Sequence, residues 1–339
     1  MENFSLTRDP EQLDGKLLFA IPKKGRLYEP SVALLQSCDL KYRRKHRLDV
    51  AGCLTLNVAF VFLPAADIPL YVSQGRVDLG ITGQDVVAEA QVDVDEVLRL
   101  DFGKCRLCVQ VPTASECQKA EDLAGKRVIT SFPNLTRQFF KTKCPNGDAA
   151  TVHFVSGSVE VACCLGLGEG IVDLVESGDT MRAAGLHAID EIMKSEAVLI
   201  ANKNSQHQDL VKVISSRVEG AIIAKRYVMV EYNLRREDLP KAIQVAPGKR
   251  SPTLAPLDDP DWVAVKVMVP NHDLGNILDS LKGNGVRRAC ACIHLICAFL
   301  LCRPLVLEFS PNIHRTITLN IAIRNILNLN TVLGALSSG

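Results

Sequence analysis

The run Ile171-Val172-Asp173-Leu174-Val175-Glu176-Ser177-Gly178-Asp179-Thr180-Met181 carries the residue types from which a sugar-phosphate site is built. An apolar strand passes into small residues, and a helix begins on the far side. Backbone N–H groups in such a turn converge on a phosphate, with the helix N-terminus and the hydroxyls of Ser177 and Thr180 adding to them. Asp173 and Glu176 suit ribose hydroxyls or a magnesium-bound water. Gly178 and Asp179 complete the turn. The same residues also suit an ordinary strand-to-helix turn with Ser and Asp as caps.

Other loops repeat the pattern of polar or glycine-bearing residues between a strand and a helix. Lys23-Lys24-Gly25-Arg26 follows an apolar strand, and its cations suit a polyphosphate or simply water. Asp78-Leu79-Gly80-Ile81-Thr82-Gly83-Gln84-Asp85 has glycines that let a nucleotide approach the backbone, or that serve a tight capped turn. Asp101-Phe102-Gly103-Lys104-Cys105-Arg106 places Arg106 at the start of a strand, where it suits a cleft or an ordinary surface position. Thr130-Ser131-Phe132-Pro133-Asn134 and Ser156-Gly157-Ser158-Val159-Glu160 each end a strand and open a helix. No one loop is decisive, but together they make a ligand site more probable than any single turn does.

These loops need elements to hold them. Apolar runs at 17–21, 58–63, 77–81, 105–111, 127–130, 152–155, 171–175 and 197–201 read as strands, with helices between them at 28–38, 68–74, 135–143 and 159–165. Alternation of this kind predicts parallel α/β sheets covered on both faces. Such sheets bind ligands beyond the carboxyl ends of their strands. From about Gln206 the character changes to a helix at 209–224 and then β-α-β-β-α, one strand short of a ferredoxin-like module.

Composition bounds the alternatives. The chain has 339 residues, 47% hydrophobic and 23% charged, with a formal net charge of +1. This predicts a folded protein of more than one domain, without the basic excess of a nucleic-acid binder. The N-terminus has no secretory h-region, and no apolar run approaches the roughly 20 residues of a membrane span. The twelve cysteines follow no disulfide framework, which fits a reducing, cytoplasmic setting. Walker-type and zinc-ligand spacings are absent, and no Ser–His–Asp or Cys–His arrangement stands out.

In order along the chain, KKGRL, DLGITGQD, LDFGKCRL, TSFPNL, GSVEV and DLVESGDTMRAAGL resemble the ATP phosphoribosyltransferase family, in its long, histidine-regulated form, over about 17–286. The resemblance implies two catalytic lobes of the periplasmic-binding-protein kind around a cleft: lobe I from 1–104 and 190–205, and lobe II from 105–189. It further implies a ferredoxin-like (ACT-like) regulatory module at 206–286, leaving an atypical tail at 287–339. Asp173, Glu176, Ser177, Gly178, Asp179 and Thr180 would hold phosphoribosyl pyrophosphate. Lys23, Arg26, Gly83, Asp85, Arg106, Ser131 and Asn134 would line the ATP side, and Asp173, Glu176 and Arg106 would take part in catalysis. The implied partners are ATP, phosphoribosyl pyrophosphate, Mg²⁺, L-histidine as inhibitor and further copies of the chain, as dimers assembling into hexamers. No metal ligands are assigned.

The sequence departs from the family pattern after Val286, where the module's last strand is expected and a cysteine-rich run stands instead. Leu305–Ser310 is a candidate for that strand displaced by an insertion, and the alternative is that everything after about Arg288 is foreign to the fold. Two other functional readings fit the same loops: a two-lobed small-molecule-binding protein and a catalytically silent regulatory relative.

Overall fold

The computed structural model describes residues 13–44, 48–144, 149–284, 286 and 288–292. The chain divides into two compact units between Arg226 and Tyr227.

The first unit holds two sheets. The first sheet grows from β1 (Leu17–Pro22), an apolar run with every residue buried except half-buried Leu18. It lies between β3 (Val58–Leu63) and β4 (Leu79–Gly83), parallel to both. β2 (Val50–Gly52) adds to the outer edge of β3. Helices α1 (Tyr28–Ser37), α2 (Ile68–Ser73) and α3 (Gln84–Ala90) follow β1, β3 and β4. β5 (Asp95–Arg99) and β11 (Ala197–Ala201) complete the order β2-β3-β1-β4-β11-β5.

The second sheet, in the order β10-β6-β9-β7-β8, comprises β6 (Cys105–Pro112), β7 (Arg127–Thr130), β8 (Thr151–Phe154), β9 (Gly170–Val175) and β10 (Leu186–Ser195). Its helices are α4 (Pro133–Lys143), α5 (Val159–Cys164) and the short α6 (Asp179–Ala183). Both sheets are mixed, not parallel as the alternation predicts. β11 runs antiparallel to β4 and β5, and β6 runs antiparallel to β9 and β10. The strands on either side of the passages between the sheets enter from the opposite direction, so the βαβ repeat is broken there.

Two boundaries differ from the sequence reading. Residues 190–195 belong to the second sheet, as the end of β10, so the chain returns to the first lobe at Glu196. Helix α7 (Gln208–Arg226) belongs with the first sheet and not with the C-terminal module. Its stripe Val211, Ile214, Val218, Ala221 and Ile222 is buried in the core formed by Phe19, Leu35, Phe60 and Leu199. Helical spacing puts those residues on one face. Burying each of the larger ones stabilises the fold by roughly 1.5–3 kcal/mol.

The C-terminal unit runs β12 (Tyr227–Arg235), α8 (Leu239–Val245), β13 (Thr253–Pro256), β14 (Trp262–Pro270), α9 (Leu274–Gly283) and β15 (Arg288–Cys292). The sheet order β13-β14-β12-β15, antiparallel throughout, is that of a ferredoxin-like βαββαβ module. The module is therefore closed, not one strand short. The closing strand comes directly after α9, with Met229 opposite Cys292 and Asn233 opposite Arg288. The start of the cysteine-rich run supplies the backbone pairing, which needs no particular side chains. The alternative strand at 305–310 lies outside the described residues, as does the tail from 293 onward.

β15 pairs with β12, so its loss would bare a row of N–H and C=O groups on a strand that is otherwise interior. A chain ending at Val286 should melt several degrees below one ending at Cys292 and should aggregate more readily. Differential scanning calorimetry with light scattering checks this, and equal behaviour of the two truncations would remove β15 from the fold.

Candidate active site

The site begins where the chain passes between the two sheets. It leaves through Leu100–Lys104 and returns through Ser195–Ala197, and the two passages lie side by side. Leu100 N–H donates to Ala197 O at 2.9 Å, Ala197 N–H donates to Phe102 O at 3.0 Å, and Ser195 pairs with Cys105 in the β10–β6 register. Asp85 in the first turn of α3 is fully buried against them. Ser195 Oγ donates to Asp85 Oδ1 at 2.5 Å and accepts from Asp85 N–H at 3.0 Å. Asp85 Oδ2 has no hydrogen-bond partner, but it lies 3.8 Å from Arg26 Nη2. Arg26 in turn donates to Gly103 O at 2.5 Å and to Cys105 Sγ at 3.2 Å. One buried carboxylate thus reaches the return passage through Ser195 and the outgoing passage through Arg26. Gly83 permits this, because a Cβ there would stand 2.1 Å from Asp85 Oδ1.

In front of this hinge lies a cavity of about 750 Å³. α3 contributes Gln84, Val87 and Ala88; β5 gives Glu96 and Arg99; the passages and adjoining strand ends give Lys104, Cys105, Arg106, Met193, Lys194, Ser195 and Glu196; β9 ends in it with Val175 and Glu176. Four cations and three carboxylates face one space. Arg99 pairs with Glu96 at 3.3 Å, Lys104 with Asp101 at 2.7 Å and Arg106 with Glu191 at 3.4 Å. Among the described residues Lys194 has no ion-pair partner, and neither has Glu176. A pocket that keeps a cation and a carboxylate unpaired in one cavity suits a ligand carrying both anionic and hydroxyl groups.

Glu176 leads into the turn Ser177–Thr180. Gly178 has φ +81°, a left-handed conformation that favours glycine. Ser177 Oγ donates to Asp179 Oδ2 at 2.6 Å, while Arg182 donates to Asp179 Oδ1 at 2.6 Å and to Ser177 O at 3.1 Å. These bonds hold the Asp179 carboxyl below the usual carboxylate range. Asp173, three residues before Glu176 on β9, behaves in the opposite way. Burial pushes its carboxyl up to about 6, against one bond from Leu174 N–H and with the nearby Glu160 charge adding to the rise. Burial therefore favours its protonated form relative to a solvent-exposed carboxyl.

The structure therefore sorts the residues singled out from the sequence. Arg106 and Glu176 line the cavity; Asp173 and Ser177–Thr180 flank it in the chain; Arg26, Gly83 and Asp85 stand at the hinge behind it. Lys23 pairs with Asp49 at 3.8 Å and does not line the cavity. Nor do Ser131 and Asn134, and Asn134 is bonded to Glu89 instead. Sequence reasoning missed Arg99, Lys194 and Ser195 because it missed their strands. β10 carries register shifts between Ala188 and Asp190 and between Glu191 and Met193, which break the period-two pattern. β5, Asp-Glu-Val-Leu-Arg, is a half-polar edge strand. Lys104 and Gln84 stood inside stretches already quoted, but had no role assigned.

No described helix is long and apolar enough to cross a membrane. The fold and the cleft define a class: a two-lobed α/β protein with an acid-tipped strand entering a cation-lined cavity, followed by a ferredoxin-like module. A family model described as ATP phosphoribosyltransferase matches residues 64–220, and one for that family's C-terminal domain matches 224–288. The chain is 49% identical to the ATP phosphoribosyltransferase of Kluyveromyces lactis over 277 residues, spanning 80% of this chain and 93% of that one. It is 48% identical to that of Saccharomyces cerevisiae and 46% identical to that of Schizosaccharomyces pombe, with the same coverage. The ATP phosphoribosyl transferase (HisG:HisZ) complex from Thermotoga maritima matches with a TM-score of 0.53 and 26% identity, over 61% of this chain and 98% of that one. The chain belongs to the ATP phosphoribosyltransferase family and is an enzyme of the first step of histidine biosynthesis. The readings as a simple binding protein or a silent relative are not favoured.

The raised Asp173 carboxyl makes the stability of the fold depend on pH. Its folded pKa lies above its unfolded one, so the proton it binds on folding contributes stability at low pH. That contribution is lost as pH rises from the ordinary carboxylate range to about 6. Asp173→Asn should match the wild type in Tm near pH 4 and exceed it at pH 8, by an amount equivalent to about 1–3 kcal/mol, while turnover falls. Thermal melts at the two pH values check this, and a lower Tm at pH 8 would contradict the burial argument.

Proposed function

We propose that the cavity holds phosphoribosyl pyrophosphate and ATP together and transfers the 5-phosphoribosyl group to N1 of adenine. The observation that carries this is the meeting of Glu176, at the end of β9, with Arg99, Lys104, Arg106 and Lys194 in one space. The Ser177–Thr180 turn receives the 5-phosphate on its backbone amides, and phosphate oxygens take over the Arg182 donors now held by Asp179 and Ser177 O. Asp173 and Glu176 orient the ribose hydroxyls. Arg106 and the unpaired Lys194 meet the charge that develops on departing pyrophosphate. N1 of adenine forms the new bond to C1 as the C1–pyrophosphate oxygen bond breaks. The bonding pair leaves with pyrophosphate, so no enzyme nucleophile is required.

The donor set fits Mg²⁺ bound mainly through substrate. The described residues contain no cluster of three or more metal-ligating side chains, and Mg²⁺ is commonly held by one or two carboxylates plus phosphates. Asp173 and Glu176 are the carboxylates to hold it. When bound, the ion would neutralise charge on the pyrophosphate leaving group. Arg26, Gly83, Asp85 and Ser195 act by fixing the hinge. Ser131 and Asn134 serve the ATP side through the position of α4, and Lys23 through the long-range charge of its loop.

The C-terminal unit is the proposed seat of inhibition by L-histidine and of self-association into dimers and hexamers. In support, its helices cover one face of its sheet: Val228, Val230, Val265 and Val267 are buried there, while Glu231 and Lys266 face outward and pair at 3.3 Å. A cytoplasmic setting is supported by free thiols at every cysteine from Cys38 to Cys164.

Pyrophosphate release measured with ATP, Mg²⁺ and phosphoribosyl pyrophosphate tests the proposal directly. Gly178→Val should raise KM for phosphoribosyl pyrophosphate by at least about tenfold, since a branched side chain resists positive φ and fills the turn. Lys194→Met should cut kcat/KM by about 10- to 100-fold, the loss of one charge-assisted bond. Wild-type kinetics in both variants would separate the turn and the cavity from the reaction.

A further inference from the structure

α3 touches the second lobe at two places one helical turn apart. Asp85, in its first turn, bonds Ser195 at the end of β10. Glu89, near its end, bonds the start of α4. Glu89 Oε1 accepts from Asn134 N–H at 2.8 Å and Oε2 accepts from Leu135 N–H at 2.9 Å. Asn134 Nδ2 closes the contact by donating to Glu89 O at 2.9 Å. Residues at i and i+4 share a helix face. Both attachments therefore lie along one side of α3, with Val87 and Ala88, which line the cavity, in the turn between them.

The contact has a clear physical basis. The first N–H groups of an α-helix have no partner within it and carry partial positive charge. Phe132, at the N-cap of α4, gives no side-chain bond, and Pro133 removes one donor at the first position. The two amides left at Asn134 and Leu135 are capped from the other lobe by a carboxylate that takes one on each oxygen. A bidentate, charge-assisted contact of this kind fixes orientation as well as distance. Within its own lobe, α4 is held through Phe140 and Thr136, both fully buried, so a restraint on its first turn restrains the lobe.

We infer that Glu89 is a positioning residue for phosphoribosyl transfer: it latches the N-terminus of α4 to α3 and thereby sets the separation of the two cavity walls before substrate arrives. The hinge at Asp85 alone leaves the lobes free to rotate about the passages. The second attachment removes that rotation, so substrates bind to walls already spaced for them and lose less free energy to closure. This rests on the reading of the cavity as the substrate site, but the contact itself is tested without turnover.

Hydrogen exchange followed by mass spectrometry on the full-length protein reads the amides of Asn134 and Leu135. In the wild type they should exchange slowly for first-turn amides. In Glu89→Ala they should exchange at least about tenfold faster, the loss of more than one bond of about 1 kcal/mol each. Kinetics of the same variant should show KM for both substrates raised about three- to tenfold, with kcat within about twofold, because ordering and not chemistry is lost. Glu89→Gln keeps one acceptor oxygen and should fall between the two in both measurements. If Glu89→Ala does not fold, the isosteric Gln variant decides alone. Unchanged exchange would show that the carboxylate does not hold the amides. Faster exchange with unchanged KM would reduce Glu89 to a local cap. A wild type with no turnover would refute the reaction assignment and leave the exchange result to stand by itself.

Discussion

The geometry of the cleft depends on one buried carboxylate. Asp85 is sealed from solvent, accepts from Ser195 and faces the Arg26 guanidinium. A buried carboxylate is costly unless it is bonded and paired, and here the partners are Ser195, on one of the two passages between the lobes, and Arg26, which is bonded to the other. Removing either partner would strand a charge in the interior, which is a stronger constraint than the modest worth of the bonds themselves. The two passages are therefore pinned to each other where the lobes join, which leaves rotation about them to be restrained by the Glu89 contact.

The charge plan of the cavity follows from this. Net charge over the whole chain is only +1, so selectivity for a polyanion has to be local. The wall cations are for the most part neutralised in pairs, as Arg99 with Glu96 and Arg106 with Glu191. Exposed pairs of this kind contribute little stability, and a phosphate can take over their donors at small cost. Asp173 tells the same story from the acidic side, since burial raises its carboxyl to about 6. Burial there makes ionisation unfavourable, and the carboxyl holds its proton to a higher pH than an exposed one would.

Much of this was legible in the sequence, and the failures have physical causes. Apolar runs such as Leu17–Ile21 and Ala197–Ala201 declare buried strands because both faces of the sheet are covered. The turn at Glu176–Thr180 is visible because its glycine and hydroxyls are local features. The family resemblance puts Asp85 on the ATP side, and nothing in its local sequence marks it as buried. Only the long-range bond to Ser195, 110 residues away, places it inside. β10 stayed hidden behind its bulges, and Lys194 and Ser195 with it. β15 was passed over since Arg288–Cys292 lacks the branched apolar residues that mark a strand, although backbone pairing alone admits it. Helix α7 is amphipathic whichever core it joins, so its periodicity could not say which one.

The order of strands in the first sheet has a bearing on how the chain comes to be folded. β11 sits between β4 and β5, yet it is the last strand of that sheet to be made, after the whole of 105–195. On the ribosome, the first lobe has β5 in hand but no neighbour for it until residues 197–201 emerge, while the second lobe is already complete in sequence. The inserted lobe is thus free to fold as a unit ahead of the lobe that brackets it. The order of synthesis and the order of assembly are reversed, and the early half of the protein must wait, with its sheet split open, for a strand delivered late.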